Sequence, residues 1–256
     1  MLNRKLTRSI QIGGITIGGG NKIALQSMCA KNTEDYKAVI DEIKRLEDAG
    51  CEIVRIGVLN EAAARVINKI KSGIAIPLVA DIHFNHRLAL IAIEEGIDKL
   101  RLNPGNIKNQ QHIQLVAKAA KKNKIPIRIG VNSGSAPSQI LLKYQNIICA
   151  DLLVEAALWE IKILEQLDFN DIVISLKASS PQVTIEAYRK MSTLCDYPLH
   201  LGVTEAGVAD TGEIRSAIGI GALLYEGIGD TFRVSLTDDP VREIYAARKI
   251  LAALNL

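Results

Sequence analysis

The sequence predicts a (β/α)8 TIM barrel preceded by an N-terminal β-hairpin, and three observations point to it. Seven charged residues, Arg55, Asp81, Arg101, Arg128, Lys177, Glu205 and Arg233, stand at or near the ends of apolar runs, at successive intervals of 26, 20, 27, 49, 28 and 28 residues. Such an interval is one strand plus one helix, and Gln26 in the run ALQSM adds an eighth unit 29 residues before Arg55 once the long gap is given a loop. The length, 256 residues, suits one such barrel, whose usual size is about 250 and whose active site lies on the loops that follow its strands.

Residues 1–22 form an extension in which SIQIGGITIGGG alternates apolar and polar positions around glycine-rich turns, the pattern of a hairpin that closes the barrel bottom. Residues 23–256 form the barrel domain. Its strands are ALQSM, EIVRIGV, LVADIH, KLRLNPG, IRIGVNSG, DIVISLKAS, LHLGVTEAG and TFRVSL, each rich in the Val, Ile and Leu of parallel buried strands. Helical patterns lie between them. Asp35 to Ala49 sets Val39, Ile43 and Leu46 on one face and stops at Gly50; Ala62 to Lys71 follows the next strand. Leu152 to Leu167 carries Trp159, the only tryptophan, in a packing role, and Pro240 to Leu254 is the last helix. Proline at Pro77, Pro126 and Pro198 ends a preceding element and admits an extended one.

Composition narrows the function classes. With 48% hydrophobic and 23% charged residues the chain has ample core material, and a net charge of +3 without interleaved aromatics gives no basis for nucleic-acid binding. No signal peptide opens the chain and no run approaches the roughly 18 apolar residues of a membrane span, so a cytoplasmic location is expected. Cys29, Cys51, Cys149 and Cys195 contain no C-x-x-C pair and are expected to be free thiols, Cys29 as a bystander at the barrel mouth.

Side chains on a strand alternate between faces. By that rule Arg101 and Asn103 share one side while Leu100 and Leu102 face the helices; Arg128 and Asn132, Ser175 and Lys177, Arg233 and Ser235, and Asp81 and His83 follow the same alternation, as does Arg55. The inward set holds the cations Arg55, Arg101, Arg128, Lys177 and Arg233 against the acids Asp81 and Glu205. Either these charges pair among themselves, or the surplus is completed by an anion, for which a diphosphate is the natural candidate because guanidinium forks grip phosphate oxygens. The turns Asn103-Pro104-Gly105-Asn106 and Asn132-Ser133-Gly134-Ser135 can add backbone N–H groups. Asp81 can hold His83 as a proton donor, and Glu205 can orient a hydroxyl or act as acid or base.

The strings LVADIHF, RLNPGNI, IPIRIGVNSGS, ISLKAS, PLHLGVTEAG, SAIGIGALL and EGIGDTFRVSLTDDPV, in this order over essentially the whole chain, resemble the family of 4-hydroxy-3-methylbut-2-enyl diphosphate synthases of isoprenoid biosynthesis. The resemblance implies an oxidoreductase whose barrel binds 2-C-methyl-D-erythritol 2,4-cyclodiphosphate while a 4Fe-4S cluster delivers two electrons, with flavodoxin or ferredoxin as donor and a homodimer as the full-length form. It also implies that Arg55, Arg101, Asn103, Arg128, Asn132, Lys177, Arg233 and Ser235 hold the diphosphate and that Asp81, His83 and Glu205 line the reacting end. The cluster ligands of that family, three cysteines and a glutamate, lie in a smaller C-terminal domain; the sequence ends at Leu256 without it, so the expectation is a barrel that binds but does not turn over alone. Cys29-Ala30-Lys31-Asn32 and the loops 144–151 and 208–212, with Asp210 where a basic residue is common, depart from the family pattern. Two other readings are a non-catalytic diphosphate-binding relative and a non-redox barrel enzyme resembling dihydropteroate synthase.

Overall fold

A computed structural model describes residues 4–107, 109–132 and 134–256. The chain opens with β1 (Ile10–Ile12) and β2 (Ile15–Ile17), an antiparallel pair with Ile10 opposite Ile17. Gly18 ends the hairpin at φ +71, pressed so close to the Arg8 carbonyl that a Cβ would sit 2.0 Å from its oxygen; no other residue fits. The apolar side of the hairpin buries Ile10, Ile12 and Ile17 against Ala24, Ile53, Val79 and Val173, the first inward residues of four barrel strands, and so plugs the bottom.

The barrel strands are β3 (Ala24–Met28), β4 (Ile53–Gly57), β5 (Leu78–Asp81), β6 (Lys99–Arg101), β7 (Ile127–Asn132), β8 (Ile172–Lys177), β9 (His200–Leu201) and β10 (Thr231–Phe232). They pair in parallel in the order β8-β7-β6-β5-β4-β3-β10-β9, and a parallel bridge from Ile174 to Leu199 joins the two ends of that order. The ring carries α1 (Tyr36–Ala49), α2 (Glu61–Arg65), α3 (Ile67–Ser72), α4 (His86–Glu94), α5 (Gln110–Lys122), α6 (Ser138–Lys143), α7 (Ala150–Glu165), α8 (Pro181–Leu194), α9 (Ala209–Tyr225) and α10 (Pro240–Ala253) on its outside. Among the described residues no helix is long and apolar enough to cross a membrane.

Local chemistry accounts for the ends. Asp35 caps α1 by accepting from the Ala38 N–H, and Gly50 closes it at φ +97. The single helix expected over 62–71 is two short ones: Asn60 caps the first, and the β-branched pair Val66-Ile67, which crowds a helical turn, stands at the break. The last two strands are shorter than their apolar runs because backbone pairing stops after Arg233 N–H donates to Leu201, where the chain bends toward α10.

The seam between β8 and β9 is reinforced from outside by Tyr188 of α8, whose hydroxyl accepts from Leu176 N–H at 3.0 Å and donates to the His200 carbonyl. Removing it orphans a buried backbone pair, which costs about 1–3 kcal/mol. Tyr188→Phe should therefore lower stability by that amount in urea unfolding; a loss within error would mean that the seam is held without it.

Candidate active site

Parallel register sets the inward side chains next to one another at the C-terminal ends of the strands. Met28 pairs with Arg55, Asp81 with Arg101, Arg101 with Arg128, and Asn132 with Lys177. Between them opens a cavity of about 190 Å³, and nine of the eleven expected site residues line it: Arg55, Asp81, His83, Arg101, Arg128, Asn132, Lys177, Arg233 and Ser235.

Two carboxylates balance part of the positive charge. Asp81 lies 3.2 Å from Arg101 Nη1, 3.5 Å from Arg55 Nε and 3.6 Å from His83 Nε2. Burial pushes its pKa up, but Arg55 and Arg101, with His83 and Arg128, outweigh burial and hold it below the usual carboxylate range. A depressed folded-state pKa gives stability that is present above the unfolded carboxylate pKa, about 3.9, and lost as pH falls through the folded value. Asp81→Asn should thus flatten part of the acid limb of the stability–pH curve; an unchanged limb below about pH 4 would show that the ion pair adds nothing.

The second carboxylate is Glu243 of α10. Arg233 grips it with Nε at 2.9 Å and Nη2 at 2.8 Å, and Ser27 Oγ donates to it at 2.8 Å. Between the two arginines sits the Met28 thioether, 2.8 Å from Arg55 Nη2 and 3.5 Å from Arg233 Nη1.

Lys177 and Arg128 lack such balance. Burial drives the Lys177 ammonium well below its ordinary pKa, Arg128, Arg55 and Arg233 push the same way, and Glu243 opposes them only weakly. Arg128 is held down by burial and then by Arg55 and Arg101, and its Nε and Nη1 are buried with no partner among the described residues. Burial lowers Arg55 to about 10 against the pull of Asp81, so it stays charged.

Two expected residues stand elsewhere. Asn103 lies beyond the end of β6, and its side chain clamps Gly130 instead, accepting from its N–H at 2.8 Å and donating to its carbonyl at 3.0 Å. It shapes the wall from behind. Gly130 is required there, because a Cβ would come within 2.6 Å of Arg101 Nε. Glu205 is exposed at φ +49, outside the cavity lining, although Thr204 beside it belongs to that lining. Ser133, in the second turn expected to offer N–H groups, lies outside the described residues.

Sequence reasoning passed over Glu243 and Met28, and also Lys99, His200 and Thr231, which continue the inward faces one step deeper. The same alternation that finds Arg101 finds Lys99 two residues earlier, so that signal was present. Glu243 sits on a helix and has no strand period to reveal it.

The thiols are dispersed. Cys29 is buried, donates to Glu42 of α1, and is outside the cavity lining; burial and that carboxylate push its thiol up to about 12. Cys51 is buried and donates to the Ile53 carbonyl at 3.0 Å. Among the described residues no group of three or more His, Cys, Asp or Glu side chains could hold a metal ion. The thiols present do not fit a 4Fe-4S cluster.

Comparison with known proteins agrees with this architecture. The GcpE TIM-barrel domain model matches residues 7–248. A protein of Fusobacterium nucleatum named 4-hydroxy-3-methylbut-2-en-1-yl diphosphate synthase (flavodoxin) is 54% identical over 250 residues, 98% of this chain and 70% of that protein. The protein of that name from Caldanaerobacter subterraneus is 56% identical over 253 residues, 99% of this chain and 71% of that one. Among solved structures, dihydropteroate synthase from Stenotrophomonas maltophilia superposes with a TM-score of 0.68 at 13% identity, covering 97% of this chain and 98% of that one, a likeness of fold alone. The chain belongs to the GcpE family of 4-hydroxy-3-methylbut-2-enyl diphosphate synthases, matched through its TIM-barrel domain.

Proposed function

We propose that this chain is the substrate-binding barrel of a 4-hydroxy-3-methylbut-2-enyl diphosphate synthase, acting in the cytoplasm on 2-C-methyl-D-erythritol 2,4-cyclodiphosphate. The observation that carries the reading is the convergence of Arg55, Arg101, Arg128, Lys177 and Arg233 on one cavity, where among the described residues only Asp81 and, from behind the lining, Glu243 pair with them. Buried cations without partners are costly, and a bound diphosphate supplies the missing charge.

In this reading Arg128 and Lys177 hold the phosphates most strongly, since neither is committed to a carboxylate, while Arg55 and Arg233 approach with the N–H groups their acids leave free. Asn132 and Ser235 add neutral donors. Asp81 fixes Arg101 and orients His83, which is half exposed and free to protonate a departing hydroxyl. Glu205 reaches the ligand only if the turn from Thr204 to Val208 folds inward. The two electrons come from flavodoxin, for which the relatives are named, or from ferredoxin. The thiols described here assemble no cluster, so binding, not turnover, is the property to test on this chain.

Lys177→Met is the informative variant because it strands no carboxylate. A charge-assisted hydrogen bond to phosphate is worth about 1.5–3 kcal/mol, roughly 10- to 100-fold in affinity. Calorimetric titration with the cyclodiphosphate should show that loss with the fold intact; equal affinity in both proteins, or no binding by either, would overturn the proposal.

A further inference from the structure

Five inward-facing side chains, Arg128 of the cavity wall and four outside its lining, carry buried polar atoms without partners among the described residues. Lys99 Nζ, both ring nitrogens of His200, Nε and Nη1 of Arg128, the Gln26 amide and Thr231 Oγ1 are all buried without a hydrogen bond among the described residues. Each of these five residues is at most 1% exposed. All five face the inside of the ring from two groups of neighbouring strands: Thr231 pairs with His200 on one side and Ala24 on the other and Gln26 follows Ala24 on the same face, while Lys99 precedes Arg101, which pairs with Arg128. His200 is pushed well below its ordinary pKa by burial and then by Arg128, Lys177 and Lys99.

The cluster is rich in donors and contains no acid. Lys99 is disfavoured by burial and then by Arg128 and Arg55, with no carboxylate acting in its favour. Water could satisfy the hydrogen bonds but would leave the Arg128 guanidinium unanswered. The count leads the same way, and here alone it rests on the function proposed above. Arg55, Arg101, Arg128, Lys177 and Arg233 face Asp81 and Glu243, and a cyclodiphosphate brings one negative charge per phosphate, so positive charge is still left over.

We propose that Lys99, Arg128 and His200, with Gln26 and Thr231, bind a small monovalent inorganic anion of the chloride class inside the barrel, one layer beneath the diphosphate cavity. The hairpin packs against Ile53, Val79 and Val173 and seals the barrel bottom, so the ion enters through the cavity before the larger ligand caps it. It then fixes the Arg128 guanidinium from behind, leaving its remaining N–H groups aimed at the phosphates.

Crystals of the whole chain grown in sodium bromide test this by anomalous scattering. The expected result is a bromide peak within hydrogen-bonding reach of Lys99 Nζ and His200, with and without the cyclodiphosphate. In solution, replacing gluconate by chloride at constant ionic strength should raise the melting temperature by about 4 °C per tenfold increase, and Lys99→Met should remove the dependence. Bromide found only among Arg55, Lys177 and Arg233, or water-strength density beside Lys99 with chloride-independent melting, would overturn the proposal. Failure of the cyclodiphosphate to bind would sink the proposed function and leave the bromide peak in place, so the two can fail separately.

Discussion

Arg128→Met should make the ligand-free protein more stable in halide-free buffer and abolish its affinity for the cyclodiphosphate. The side chain is 1% exposed, its Nε and Nη1 have no partner among the described residues, and Arg55 and Arg101 stand beside it. A guanidinium does not discharge itself at neutral pH, so the folded state carries the full cost of burying it. Replacing a buried charge by an apolar side chain of similar volume is commonly worth 1–4 kcal/mol, about 2–4 °C in melting temperature per kcal/mol in a domain of this size. The loss in binding should exceed the Lys177→Met loss, since a bidentate grip goes with it. Scanning calorimetry and titration on one preparation read both quantities. A variant less stable than the parent would mean that Arg128 is already compensated in the free protein.

Glu243→Gln should have the opposite sign. Its carboxylate, 2% exposed, accepts from Arg233 twice, from Ser27 Oγ, and from Leu236 N–H at 3.2 Å. Breaking a buried pair from one side leaves the other charge unanswered, at a cost of about 3–5 kcal/mol. Urea unfolding should show that loss, and saturating cyclodiphosphate should recover part of it, because the ligand then offers Arg233 another anion. A change under about 1 kcal/mol would remove Glu243 from the charge balance of the site.

These two expectations lean on residues of unequal legibility. Arg128 was readable because a buried strand has a strict period of two, and Arg128, Gly130 and Asn132 keep it to the end of β7. The rule fails where the strand does. β6 ends at Arg101, so Asn103, on the inward face by count, is turned by the following Pro104 onto the Gly130 backbone. β9 ends at Leu201, and by Glu205 a positive φ has replaced any alternation. Glu243 was hidden for another reason, since a helix contributes it and only the packing of α10 on β3 reveals which residue meets Arg233. The hairpin was legible from its glycine turns, and its role as a plug follows from the apolar first positions of the strands above it.

The position of the bound diphosphate decides whether this cavity is the substrate site. The most direct measurement is a crystal structure of the chain soaked with 2-C-methyl-D-erythritol 2,4-cyclodiphosphate. It should place phosphate oxygens within hydrogen-bonding distance of Arg128 and Lys177, with Asp81 and Glu243 still paired to their arginines. A ligand bound on another face at saturating concentration, with the cavity filled only by water, would contradict it.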